Sequence, residues 1–211
     1  MSVIYFDLDG TLITYGKDFH PLLEDALGFE VSKEVHDYWT EHLLSNIRQI
    51  EEKPYLKALE KVEKKFELGI KPEEAAEDWI DTEVESTETH AGMKELMERL
   101  SEKHKIGILT NSVEDVQRRK IEKFGLDEIV DEVIISNPEG VRKPDEKIFE
   151  LAKDRLKGDE YIYIGDSFEE DIVPAKQVGF KTVYINGEKE ADMEAQSPEK
   201  LAETLLPLIP T

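Results

Sequence analysis

Apolar positions along this chain follow two rhythms. The first is Val3-Ile4-Tyr5-Phe6, an unbroken apolar run that predicts a strand buried on both faces. Residues 16 to about 87 then change character: apolar positions recur every third or fourth residue, with no strand-like run. Ser32 has N-cap chemistry and precedes a helical stripe of Val35, Tyr38, Trp39, Leu43, Ile47 and Ile50. Lys53-Pro54 opens a second helix carrying Leu56, Leu59, Val62, Phe66 and Leu68, with Gly69 as its expected stop. Pro72 opens a third, with Ala75, Ala76, Trp79 and Ile80. Their short, punctuated connections predict a small helical bundle.

From Thr89 helix and strand alternate. A helix around Met93, Leu96, Met97 and Leu100 leads to the strand Ile106-Gly107-Ile108-Leu109. A helix over 113–124 stops at Gly125 and is followed by Val133-Ile134-Ile135. Pro144 opens a helix with Ile148, Phe149, Ala152 and Leu156, and then come the strands Tyr161-Ile162-Tyr163-Ile164 and Thr182-Val183-Tyr184-Ile185. Ser197-Pro198-Glu199 starts a last helix that stops near Pro207. Such alternation predicts an α/β fold: a parallel sheet with right-handed crossovers, sandwiched by helices. The expected division is a core of 1–15 and 88–211, interrupted by a helical unit of 16–87.

Charge narrows the partners. With 49 acidic against 27 basic residues the net charge is −22, and no basic stripe offsets repulsion from a nucleic-acid backbone. An anionic substrate therefore needs a locally positive site. Absence of cysteine excludes disulfides and thiolate metal sites. No apolar run approaches membrane-spanning length, and the N-terminus lacks a basic segment leading into an apolar one, so a cytoplasmic location is expected.

Informative polar residues come directly after the strands. Asp7 and Asp9 stand one residue apart, before Gly10, where a turn at the C-terminal end of a parallel strand opens onto a ligand crevice. Two close acids repel each other, and a metal ion would stabilise both; the plain alternative is that Asp9 merely caps the next element. After the second strand, Thr110 offers a hydroxyl and Asn111 a backbone N–H to an anionic oxygen, although Ser112-x-x-Asp115 also reads as a helix opener. After the third, Lys143 beside a helix start suits an anion, although most lysines are solvated. After the fourth, Gly165-Asp166-Ser167 and Asp171 could seat an oxygen-ligand metal site opposite Asp7, while Glu169 and Glu170 read as acids of a first helical turn.

In this order, Asp7-Leu8-Asp9-Gly10-Thr11, Thr110-Asn111-Ser112, Lys143-Pro144-Asp145 and Gly165-Asp166-Ser167…Asp171 resemble the motifs of the haloacid dehalogenase superfamily, in particular its Mg²⁺-dependent phosphatases of the phosphoglycolate phosphatase-like type. The resemblance covers 1–15 and roughly 88–211, and the residues between look like that family's type-1 helical cap. It implies a Rossmann-like core and hydrolysis of a small soluble phosphomonoester. Asp7 would be the nucleophile, forming an aspartyl-phosphate, and Asp9 the general acid and base. Mg²⁺ would bind Asp7, the backbone carbonyl of Asp9 and Asp166, with Asp171 in or near that shell and pairing with Lys143. Thr110, the Asn111 amide and Lys143 would stabilise the transferring phosphoryl group. Asp9 argues against dehalogenation, and Glu170 stands where the family often has Asn.

The same carboxylates would serve a phosphomutase resembling β-phosphoglucomutase. A receiver-like switch phosphorylated on aspartate would need neither Asp9 nor a helical insert. In the insert, Arg48 reads as part of a solvated helix face, and His36, His42, Tyr38 and Trp39 read as packing. Lys17 falls where a gate between cap and core is expected, whereas His90 and His104 are expected to have no catalytic role. No membrane or nucleic-acid partner is expected, and a monomer or homodimer fits the composition.

Overall fold

The computed structural model describes residues 1–185, 187 and 191–205. Strand β1 (Ser2–Phe6) is followed, after a tight turn, by the short β2 (Ile13–Tyr15). Four helices come next: α1 (Phe19–Leu27), α2 (Lys33–Arg48), α3 (Pro54–Phe66) and α4 (Pro72–Glu85). Strand β3 (Thr87–Thr89) returns the chain, pairing antiparallel with β2 so that Ile13 faces Thr89. The chain continues through α5 (Met93–Ser101), β4 (Lys105–Thr110), α6 (Glu114–Lys123), β5 (Glu132–Ile135), α7 (Ser136–Glu139), α8 (Glu146–Arg155) and β6 (Glu160–Gly165). A π-helical turn, Phe168–Ile172, leads into α9 (Val173–Gln177), β7 (Lys181–Ile185), β8 (Met193–Ala195) and α10 (Pro198–Leu205).

Six of these strands form one parallel sheet in the order β5-β4-β1-β6-β7-β8, the Rossmann-like α/β architecture the alternation predicts. Strand β1 is central and buried on both faces. Ile4 and Phe6 pack with Leu96, Met97 and Ile121 of α5 and α6, while Val3 and Tyr5 pack with Ile148 and Phe149 of α8 and with Phe180. This explains its unbroken apolar run. The insert helices bury a separate cluster around Trp39 and Trp79, whose rings lie 4.3 Å apart. That cluster also takes in Val116 of α6, so one core helix packs into the insert.

Several local expectations need correction. The insert contains four helices, not three. Helix α1 is short, carries Pro21, and buries only Leu22, Leu23 and Ala26 before a left-handed Gly28, which left its periodicity too brief to see. Helix α2 ends at Arg48, and Ile50 takes a left-handed backbone in the following loop. Helix α3 stops at a left-handed Glu67 rather than Gly69, because the Glu63 carboxylate accepts the N–H groups of Gly69 and Ile70 at 3.1 Å each. Pro144 lies outside α8, whose N-cap is Asp145, accepting from the Lys147 N–H at 3.0 Å. Ser112 does not open α6: its N–H donates to Ser136 Oγ at 3.1 Å, and Val113 takes the cap position. The small β2–β3 pair and β8 have too few residues to show a period. Helix α10 starts at Pro198, and the expected stop near Pro207 lies outside the described residues.

Candidate active site

Register brings the polar clusters to one edge. Phe6 pairs with both Ile108 and Ile164, so the segments after β1, β4 and β6 emerge side by side at the C-terminal end of the sheet. Leu8 and Leu12 are buried and anchor the turn between them, with the N–H groups of Leu12 and Ile13 donating to the Leu8 carbonyl at 2.9 and 3.0 Å. Asp7 and Asp9 are left facing a cavity of about 250 Å³, lined also by Thr110, Asn111, Lys143, Asp166, Ser167 and Glu170. Such a volume suits a ligand smaller than the ~300–1,000 Å³ sites of drug-sized molecules. Glycine at position 10 is needed for contact as well as for its left-handed backbone, since a Cβ there would stand 2.3 Å from Asp166 Oδ2.

Lys143, only 1% exposed, is the cation of the first cluster. Its Nζ lies 2.9 Å from Asp7 Oδ1 and donates to Asp171 Oδ1 at 2.6 Å and to the Tyr163 hydroxyl at 2.9 Å. The hydroxyl itself lies 3.0 Å from the Leu109 carbonyl. Burial pushes the Asp7 carboxyl well above the usual carboxylate range; Lys143 opposes this and Asp171 reinforces it. Asp166 is raised for the same reasons, burial first and the Asp171 charge next. Burial alone would lower the Lys143 ammonium, yet Asp171 and Asp7 outweigh it and hold the group above its ordinary value. Gly165 admits this packing, because a Cβ there would stand 2.5 Å from Asp171 Oδ2.

Asp9 belongs to a second cluster. Its Oδ1 accepts from the Tyr15 hydroxyl at 2.9 Å and from Lys120 Nζ at 3.1 Å, and its Oδ2 accepts from Gln117 Nε2 at 2.7 Å. Lys120 also donates to Glu83 Oε1 and to the Tyr15 hydroxyl, both at 2.7 Å, and Trp79 Nε1 donates to Glu83 Oε2 at 2.8 Å. Burial would raise the Asp9 carboxyl, but Lys120, Gln117 and Tyr15 outweigh it, and the net effect is downward.

The remaining expected residues have mixed placements. Thr110 Oγ1 lies at the cavity and accepts from Gln117 Nε2 at 2.8 Å. The Asn111 side chain holds the Lys143 backbone at both ends, accepting its N–H at 2.9 Å and donating to its carbonyl at 3.0 Å. Asn111 Nδ2 also donates to Glu170 Oε2 at 3.0 Å, and Glu170 pairs with Arg142 at 3.3 Å. Glu170 is thus a wall of the cavity and more than a first-turn acid. Ser167 caps that turn, accepting the Glu170 N–H at 3.2 Å. Lys17 pairs with Asp25 at 2.5 Å in a groove beside β2 and β3, away from the cavity. Arg48 is exposed on α2, His36 stacks on His20, and His90 pairs with Glu199 at 2.6 Å.

Tyr15, Glu83, Gln117, Lys120 and Tyr163 were missed by sequence reasoning. A signal existed for two of them: Gln117 and Lys120 share the inward stripe of their helix with Val116 and Ile121, where a polar residue must find a buried partner. Glu83 stands one turn after Trp79 on the same buried side of α4. Tyr15 carried no such mark.

Asp7, Asp166 and Asp171 each offer a carboxylate oxygen, all within 4.8 Å of one another. Hard oxygen donors in surplus over the single Lys143 ammonium fit a divalent cation of the Mg²⁺ or Ca²⁺ kind.

Fold and site together define a hydrolase built on a parallel α/β sheet. Residues 1–179 match the haloacid dehalogenase-like hydrolase family, and the chain belongs to it. It is 26% identical over 204 residues to pyrimidine 5'-nucleotidase YjjG of Escherichia coli, covering 92% of this chain and 90% of that one. It is 36% identical over 114 residues to glyceraldehyde 3-phosphate phosphatase of Pyrococcus furiosus, covering 53% of this chain and 48% of that one, so it spans about half of that relative. Among solved structures, a HAD phosphatase from Thermococcus onnurineus superposes with a TM-score of 0.64 at 28% identity, over 97% of this chain and 98% of that one. The HAD-hydrolase YfnB of Bacillus subtilis shares the fold, with a TM-score of 0.74 at 19% identity over 97% and 98% of the two chains. No helix among the described residues is long and apolar enough to cross a membrane.

Proposed function

We propose that this hydrolase is a cytoplasmic Mg²⁺-dependent phosphatase of small phosphomonoesters. The observation that carries the reading is the placement of Asp7 and Asp9 on one tight turn, both lining a small cavity that Lys143 also lines. In this reading residues 1–15 and 88–211 act as the catalytic core, and residues 16–87 act as a cap over it.

An Asp7 carboxylate oxygen bonds to phosphorus as the bond to the leaving oxygen breaks, giving an aspartyl-phosphate. Lys143, close to Asp7, draws the phosphoryl charge toward the nucleophile, and Thr110 and the Asn111 backbone N–H meet its other oxygens. Asp9 protonates the leaving oxygen, then removes a proton from the water that attacks the aspartyl-phosphate, releasing phosphate and restoring Asp7. Lys120, Gln117 and Tyr15 hold Asp9 as an anion, the form required for the second step. An incoming phosphate adds negative charge beside Asp9 and raises its proton affinity, so the acid form is acquired with the substrate. Asp7, Asp166, Asp171 and the Asp9 backbone carbonyl would hold Mg²⁺, which when bound screens the phosphate charge from the nucleophile.

The test is a phosphate-release screen with Mg²⁺ over triose and sugar phosphates, phosphoglycolate, nucleoside monophosphates and p-nitrophenyl phosphate. Mg²⁺-dependent release that disappears in Asp7→Asn is the expected result. Conversion of a hexose phosphate to its isomer without free phosphate would replace this reading with a mutase.

A further inference from the structure

Lys120 is buried to 1% exposure, and all three of its ammonium hydrogens have acceptors: Asp9 at 3.1 Å, Tyr15 at 2.7 Å and Glu83 at 2.7 Å. A lysine so enclosed is fixed by its partners, because no water competes for its donors. Asp9 is fixed in turn, with Lys120 and Tyr15 on one oxygen and Gln117 on the other. Gln117 cannot drift, since its Nε2 also donates to Thr110 Oγ1 at 2.8 Å. The far anchor, Glu83, belongs to the insert, and its second oxygen is held by Trp79 Nε1 at 2.8 Å. Two neighbours on α6 seat the same stretch of α4 without touching Asp9. Lys123 Nζ donates to the carbonyls of Val84, Glu85 and Thr87 at 2.8, 2.9 and 2.8 Å, and Arg119 pairs with Asp81.

We propose that Lys120 is a positioning residue for Asp9, holding that carboxylate against the leaving oxygen while Glu83 holds the lysine from the helical insert. The proposal rests on the phosphatase reading and deepens it. The Asp9 carboxylate then reaches the leaving oxygen only while α4 is seated on α6, so the insert governs leaving-group protonation as well as enclosing the substrate.

The experiment compares two kinds of ester with Mg²⁺ present. 2,4-Dinitrophenyl phosphate expels a stable anion and needs little protonation of its leaving group. An alkyl phosphate (the fastest of ribose 5-phosphate, glycerol 3-phosphate and phosphoglycolate) expels an alkoxide that must be protonated. In Lys120→Met, the first-turnover rate of leaving-group release, which precedes water attack on the aspartyl-phosphate, is expected to fall about 100-fold on the alkyl ester, the lower end of general acid–base contributions, and less than about 5-fold on the aryl ester, with little change in the substrate concentration giving half the maximal rate. Removing this cation leaves the buried Glu83 and the half-buried Asp9 without their shared ammonium, so the charge-compensated Lys120→Met/Glu83→Gln is made alongside; it should fold and show the same selective loss. Glu83→Gln alone keeps Lys120 paired with Asp9, and its alkyl rate should fall about 10-fold. Lys123→Met removes the bonds to the chain just after Glu83 but keeps the Lys120–Glu83 contact that seats α4, and should lower stability while leaving the alkyl-to-aryl rate ratio at the wild-type value. An unshifted ratio in Glu83→Gln, or in either folded Lys120 variant, overturns the proposal alone. A wild type that releases phosphate from neither ester overturns the phosphatase reading, and this assignment with it.

Discussion

Two buried lysines stand at the site with matching kinds of partner, two acids and a tyrosine hydroxyl each, and both pull down the acid beside them, yet those acids end on opposite sides of their ordinary value. Lys143 meets Asp7, Asp171 and the Tyr163 hydroxyl; Lys120 meets Asp9, Glu83 and the Tyr15 hydroxyl. Yet Asp7 is driven up by burial and Asp171, whereas Asp9 ends below its ordinary value. The difference lies in what surrounds each pair. Asp166 adds a third carboxylate to the Lys143 side, while Gln117 adds a neutral donor to Asp9. One side sets three carboxylates against one ammonium, the condition that favours a bound cation; the other sets two against one, with Gln117 and Tyr15 donating to Asp9.

The strongest test of that contrast is Asp7→Asn, in which phosphate release should fall by roughly 10⁴-fold or more, as for loss of a covalent nucleophile. The same variant should be more stable than wild type when divalent cations are chelated, because it removes a charge that its surroundings disfavour. Folding lifts the Asp7 value above the unfolded one. Its penalty is therefore present at neutral pH and relieved as pH falls through the folded value. Urea midpoints in chelator should rise on mild acidification for wild type, and rise less for Asp7→Asn. Lys143→Met comes next: three acids lose their shared cation, and the loss should be about 3–5 kcal/mol by urea unfolding. A smaller loss than in Lys120→Met would mean that Lys143 is not the more heavily loaded of the two.

Of the Lys143 cluster the lysine and its acids were legible in the sequence, and of the Lys120 cluster only Asp9. Asp7, Asp166, Asp171 and Lys143 each come after a strand of a sheet whose alternation with helices is plain, so fold and location could be read together. Strand register, with Phe6 opposite Ile108 and Ile164, then carries them to one edge. The Lys120 cluster draws instead on β2, an insert helix and a core helix, from Tyr15 to Lys120. Nothing local links those positions, because the contact between α4 and α6 is tertiary and obeys no period. The loops were hidden for a related reason: Glu63 ends α3 by accepting two N–H groups beyond it, a choice that side-chain reach decides rather than propensity.

A bound cation offers a test of intermediate size. If the three converging acids of the Lys143 side hold the cation, Mg²⁺ at about 100 times its Kd should stabilise the fold by about 2.7 kcal/mol, read as a rise in Tm. Asp166→Asn should abolish most of that rise by removing one of the three converging carboxylates. Glu83→Gln should keep it, since its carboxylate lies in the other cluster. Loss of the rise in Glu83→Gln would show that the two clusters act as one.

The finest test is the same substitution on each side. Tyr163 and Tyr15 both accept from a buried ammonium, at 2.9 and 2.7 Å, and each hydroxyl has a single proton to give in return. The Tyr163 proton has the Leu109 carbonyl as a neutral acceptor at 3.0 Å besides Asp171 Oδ1 at 3.2 Å, whereas the Tyr15 hydroxyl has two acids in reach, Asp9 at 2.9 Å and Glu83 at 3.2 Å. Replacing either by Phe removes a bond to a charged group and should cost about 1.5–3 kcal/mol of stability. Only Tyr15→Phe should also touch the chemistry, and weakly, because Lys120 and Gln117 still hold both Asp9 oxygens. A fall of about 3-fold in first-turnover leaving-group release from an alkyl phosphate, against none from 2,4-dinitrophenyl phosphate, is the expected size for a partly redundant contact. Tyr163→Phe should slow both esters alike if it slows either, since its cluster faces the nucleophile and not the leaving oxygen. A selective alkyl loss in Tyr163→Phe would mean that the division of labour between the two lysines is drawn in the wrong place.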